Sequence, residues 1–137
     1  MKKIVVLFVA AFTLLLTTCN QSNKTTMKDL DESMLDLRIY QENLGDMIKT
    51  GRLADAKWLL DGADSLLQVL SNTFKEHRKL TDPFSYHYKT KLKQPLRGIN
   101  TAIRDNDTAA ALNNYRILVK QCNGCHIDHD VKKDVKF

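Results

Sequence analysis

From Met27 onward, apolar residues return at intervals of three and four rather than two, the pattern of amphipathic helices. The first run places Met27, Leu30, Met34, Leu37, Gln41, Leu44 and Ile48 on one face. Thr25 or Thr26 can cap its start, Asp29, Asp31 and Glu32 suit its positive end, and Gly51 stops it. A second run, from about Arg52 to Lys79, carries Leu53, Ala56, Leu59/Leu60, Ala63, Leu66/Leu67, Leu70 and Phe74. Thr81-Asp82-Pro83 marks a turn, with proline suited to a first helical position. The third face is Phe84, Tyr88, Leu92, Leu96, Ile99 and Ile103, and it stays in phase across Pro95, which predicts a kink there. After the capping cluster Asn106-Asp107-Thr108, a fourth run carries Leu112, Tyr115, Leu118/Val119, Cys122 and His126. Strand alternation is nowhere sustained. Four helices, each roughly 30–40 Å long, joined by short loops predict an all-α fold, an antiparallel up-down-up-down four-helix bundle.

Ahead of this body the pattern changes. Lys2 and Lys3 are followed by an apolar run of 13 residues, Ile4 to Leu16, with Thr13 inside it. That run suits the core of a signal peptide and is too short to span a bilayer as a helix. It ends Leu16-Thr17-Thr18-Cys19, which resembles a bacterial lipobox, where the cysteine is lipidated and heads the mature chain. An ordinary secretory signal with an unmodified cysteine is the alternative. Residues 1–18 are thus read as a lipoprotein signal peptide, residues 19–26 as lipidated Cys19 plus a polar tether, and residues 27–137 as the folded domain. The expected address is the bacterial cell envelope, periplasm-facing, with a lipid in the membrane.

Composition narrows the class. With 137 residues, 43% hydrophobic and only 5 Gly and 2 Pro, the chain suits one domain that is neither disordered nor collagen-like. A formal charge of +5, falling to +3 on cleavage after residue 18, gives no reason to infer nucleic acid. Three cysteines are too few for a disulfide-stapled scaffold, so each needs its own explanation.

Two of them stand in Cys122-Asn123-Gly124-Cys125-His126, a C-x-x-C-H motif that signals attachment of c-type haem. Spacing i, i+3 puts both sulfurs on one side of a helix, where each can form a thioether with a haem vinyl group. The adjacent imidazole then serves as an axial ligand to iron. A redox dithiol would sit at a helix N-terminus that lowers its pKa, whereas this pair lies late in a helix. A zinc site wants four good ligands, and no further cysteine is available once Cys19 carries lipid. His129 is a candidate extra ligand but reads as a solvent-facing tail residue; His77 and His87 lie in or near the middle turn without ligand spacing.

A haem-attachment motif near the C-terminus of a four-helix chain resembles the class II c-type cytochromes, the cytochrome c-prime group. The chain is also similar to the periplasmic b-type four-helix cytochrome, whose haem is held by an N-terminal Met and a C-terminal His. Asp29-Leu30-Asp31-Glu32-Ser33-Met34 resembles the start of that protein, with Met34 on one ligand position and His126 on the other. The resemblance spans Met27 to about Asp130 and implies one covalent haem c, with Met34 opposite His126.

A methionine on an apolar helix face is also an ordinary core filler. Met47 lies about 20 Å along the axis from Met34, at the wrong end, and Met27 sits in the first turn. His/Met ligation leaves no vacant iron position, so the expected role is single-electron transfer rather than enzymatic turnover. Cytochrome c-prime proteins leave the sixth site empty, commonly with an Arg one turn before it. Leu30, not Arg, stands one turn before Met34. A five-coordinate protein binding NO or CO is the alternative, and a haem-free metal-binding or structural lipoprotein is a third.

Charge is uneven: residues 20–64 carry a net −3 and residues 65–137 a net +6, densest from Lys75 to Arg97. This suits steering toward an acidic redox partner, or simply a solvated face. Arg38, one turn from Met34, is a candidate partner for a haem propionate, or a plain surface residue. Monomer and homodimer are both compatible with the sequence. Trp58 and Tyr115 read as core or boundary aromatics, and no phosphate loop or hydrolase motif is present.

Overall fold

In the computed structural model, residues 29–76 and 80–131 are described. The expected signal peptide, Cys19, the expected tether, Met27 and His77 fall outside them. The described residues are all-helical, with four helices and no strand, consistent with a helical bundle. Helix α1 is Leu30–Lys49 and α2 is Leu53–Thr73. Helix α3 is continuous but composite: α-helical Phe84–His87, π-helical Tyr88–Leu92 and α-helical Lys93–Arg104. Helix α4 is Thr108–Asp128. No helix among the described residues is long and apolar enough to cross a membrane.

The apolar stripes meet in one core that includes Leu44, Ile48, Leu70, Ile99, Ala111 and Tyr115. All six are essentially inaccessible to solvent. Burial of such side chains is worth about 1.5–3 kcal/mol each for the larger ones, which makes amphipathic pattern the main source of the fold. Close approaches fix the neighbours. Tyr115 of α4 lies against Gly45 of α1, Tyr40 of α1 against Gly62 of α2, and Asn114 of α4 against Gly98 of α3. Trp58 is not a core residue: it stacks at a tilt on Tyr40 and stays 69% exposed.

Helix ends follow local chemistry. Asp29 accepts from the Leu30 N–H, and Asp107 accepts from the Ala110 N–H. Gly51, at φ +72°, ends α1; its N–H bonds the Ile48 carbonyl while the Arg52 N–H reaches the Met47 carbonyl. That double clasp is a Schellman motif, which needs a left-handed residue just past the cap. Asn106 and Asp130 take the same role after α3 and α4, with φ of 55° and 53°.

One element departs from the sequence expectation and a second adds detail to it. Helix α2 stops at Thr73 rather than near Lys79, because Phe74 leaves helical geometry and packs its ring on the core. The Phe74 carbonyl then accepts from the Phe84 N–H at 3.1 Å, tying the middle turn closed. Pro95 does not break α3; the helix widens just before it instead. Proline cannot donate to the Lys91 carbonyl and its ring crowds that carbonyl. Over Tyr88–Leu92 the ladder shifts to i→i+5, and the Lys93 N–H bonds Tyr88.

Candidate functional site at the end of helix α4

The C-x-x-C-H segment forms the last turns of α4, and α4 ends only at Asp128. Gly124 is helical here at a cost of about 1 kcal/mol relative to alanine. Cys122 packs against the apolar core, and Cys122, Cys125 and His126 are all half-buried. No disulfide joins the two cysteines. Desolvation, with the neighbouring Cys125 adding to it, pushes the Cys122 thiol up to about 12. Desolvation also raises Cys125, against an opposing pull from Lys91. Both sulfurs are therefore neutral thiols near pH 7. That removes the low-pKa thiolate on which a dithiol oxidoreductase depends.

Adjacent residues on α4 face different neighbours. Asn114 and Cys125 are eleven residues apart, as are Tyr115 and His126. Eleven residues make three turns to within about 20°. Asn114 touches Gly98 of α3, and Cys125 correspondingly lies near His87 of α3. Tyr115 touches Gln41 and Gly45 of α1. His126 thus shares the α1-directed face of Tyr115, whereas Cys125 shares the α3-directed face of Asn114.

On the α3 side Cys125 and His129 are joined in a cluster by His87, which the sequence spacing did not mark as a ligand. His87 is 4% exposed and neither ring nitrogen has a hydrogen-bond partner. The His129 ring meets it edge-on, with centroids 5.3 Å apart and planes at 88°, and the buried His129 Nε2 also lacks a partner. One ligating atom each from His87, Cys125 and His129 falls within 4.8 Å of the others. Beside them Lys91 Nζ contacts Asp128 Oδ2 at 3.1 Å. Desolvation, followed by Lys91 and His129, lowers the His87 pKa below its ordinary value. His129 is accordingly not a solvent-facing tail residue: it caps α4, fixed by the turn at Asp130. The π-helical widening begins one residue after His87 and carries Lys91, so the same adjustment to Pro95 places both groups opposite α4.

No protein-family model, curated protein or solved structure matches the chain.

The other residues singled out in the sequence are placed as follows. Met34 is half-buried in α1 and packs against the same core as Cys122. Arg38 is exposed and bridges Glu42 at 2.7 Å, one turn along α1. Cys19 lies outside the described residues. The one sequence sign of His87 was its place beside Phe84 and Tyr88, which put it at the start of an apolar face.

Proposed function

We propose that the chain is a lipid-anchored monohaem c-type cytochrome of the cell envelope, carrying single electrons on an antiparallel up-down-up-down bundle. The observation that carries this reading is the C-x-x-C-H segment itself, held in helix with two neutral, unbridged thiols one turn apart and an imidazole beside the second. That donor set fits haem c. Cys122 and Cys125 would hold the group through their sulfurs, and His126 would ligate iron from one side. When bound, haem c supplies reversible one-electron chemistry at iron.

Met34 is the proposed opposite ligand. Gln41 and Tyr115 touch across α1 and α4. Met34 lies seven residues before Gln41, and Cys122 lies seven after Tyr115. Each step is about 10 Å, so antiparallel helices bring Met34 level with Cys122. His126 lies one turn further along, on the α1-directed face. A thioether in this place favours ferrous iron and raises the potential, and a rigid apolar surround limits reorganisation. The contacts of Asp64 with Tyr88, Phe74 with Phe84 and Lys91 with Asp128 support the same antiparallel order.

The basic residues Lys89, Lys93 and Arg97 are exposed on α3 and would steer an acidic redox partner. An N-terminal lipid on Cys19 would hold the domain at the membrane surface.

The test is to produce the full chain in a bacterial host that matures c-type haem and to stain a denaturing gel for haem. Covalent haem survives denaturation, so the wild-type band should stain. Cys122→Ser with Cys125→Ser should abolish it. An unstained wild-type band from a host that matures a control cytochrome would contradict the reading.

A further inference from the structure

We propose that His87, Cys125 and His129 form a binding site for Zn2+, with the fourth coordination position open. The site belongs to the chain before haem attachment: a thioether at Cys125 would remove its thiolate, so zinc and haem compete for that sulfur, and the site does not rest on the haem reading.

Its geometry is specific. Cys125 and His129 are one turn apart on α4 and share a face. His87 comes from α3 and approaches from the opposite side. The ligating atoms lie within 4.8 Å of one another. An ion bonded at about 2.0–2.1 Å to nitrogen and 2.3 Å to sulfur would set them roughly 3.3–3.6 Å apart. The side chains must therefore close in by about 1 Å, which side-chain torsions can supply without moving a helix.

The unmet bonding capacity points to a ligand. A histidine 4% exposed with both nitrogens unpartnered is costly, because buried polar groups ordinarily have a hydrogen-bond partner. His129 Nε2 repeats the deficit from the other helix. A metal ion satisfies one nitrogen on each ring. One thiolate and two imidazoles form a borderline-soft set, preferred by a tetrahedral d10 ion over Mg2+ or Ca2+. Binding releases the Cys125 proton to solvent, and the bound thiolate offsets part of the ion's charge. The Lys91–Asp128 pair at 3.1 Å keeps the adjacent lysine charge compensated. The backbone holds the ligands in place: the Asp130 turn fixes His129, and the wide turn of α3 fixes the register of His87.

The test uses the full chain made without haem attachment and kept reduced, with Co2+ as the spectroscopic probe. One equivalent should give a near-ultraviolet thiolate-to-cobalt charge-transfer band and intense visible bands of a tetrahedral ion. Excess Zn2+ should remove both. Cys125→Ser should lose the charge-transfer band, and His87→Ala and His129→Ala should weaken binding by more than about 100-fold. Cys122→Ser and His126→Ala should bind as wild type. His87 is buried, so the half-buried helix-end variant His129→Ala decides the point if His87→Ala does not fold. Equal loss in Cys122→Ser would put the ion on the C-x-x-C pair and overturn the proposal. So would absence of cobalt bands, or binding that survives removal of both histidines. A chain that takes cobalt but never haem would separate this site from the cytochrome reading.

Discussion

The phenol of Tyr115 donates to the Gln41 carbonyl at 3.1 Å and accepts from the Gln41 side-chain amide, deep between α1 and α4. Replacing it with phenylalanine removes both bonds to the phenol from this buried seam. Tyr115→Phe should therefore destabilise the fold by about 1–3 kcal/mol, read from the denaturation midpoint. Gly45 faces the same ring, and a Cβ there would collide with it. Gly45→Ala should cost about 1–3 kcal/mol by overpacking. If either variant melts with the wild type, the α1–α4 contact is not as described. Met34 tests chemistry rather than packing. In a haem-loaded Met34→Ala protein, iron should turn high-spin and bind CO, whereas a site already open should change little. Much of this scale was legible in advance. Tyr115 was legible by its place in an apolar run, and the run carrying Cys122 and His126 was legible as a late stretch of helix. His129 was legible as a candidate extra ligand but its neighbour His87 was not, because 41 residues lie between them and only tertiary packing brings them together.

At the scale of elements, caps and ties set the ends. Asp107 serves both neighbours of the short α3–α4 turn: its N–H bonds the Ala102 carbonyl, and its carboxylate accepts from the Ala110 N–H. Asp107→Ala should lower stability by about 0.5–2 kcal/mol in a thermal melt, and no change would deny the cap its role. Two phenols tie helices together, and both titrate late. Burial raises Tyr115 to about 12, and burial with the Asp64 carboxylate at 2.8 Å raises Tyr88 to about 12. Below pH 10 these groups are neutral in folded and unfolded chains alike. Between 10 and 12 the unfolded phenols lose protons that the folded ones keep, so stability should fall as pH rises through that window. Melting midpoints across it check the sign, and Tyr88→Phe should show a shallower fall. The wide turn of α3 was half-written in the sequence. Phe84, Tyr88, Leu92 and Leu96 recur every four residues, a spacing that drifts by about 40° a step around a regular helix. One π turn absorbs the drift just ahead of Pro95. Helical periodicity marked Pro95 as the irregular place in α3 but did not say that the turn ahead of it takes π geometry.

For the whole molecule, the all-helical fold was legible because long amphipathic runs with clear caps leave few alternatives. The end of α2 was not, since Phe74 leaves the helix for a tertiary reason. As proposed, the expected leader, the lipobox-like residues before Cys19, the basic second half and the C-x-x-C-H helix end serve one molecule, a haem domain held at a membrane surface and able to exchange electrons. In the proposed cytochrome, Cys122, Cys125 and His126 would hold haem c and Met34 would also ligate its iron. The most direct measurement is the visible absorption spectrum of the dithionite-reduced protein, from a host that matures c-type haem, before and after adding CO. Ligation by both His126 and Met34 should give sharp, resolved low-spin bands that CO leaves unchanged. Broad bands that shift with CO would contradict Met34 ligation, and absence of haem bands would contradict the cytochrome altogether.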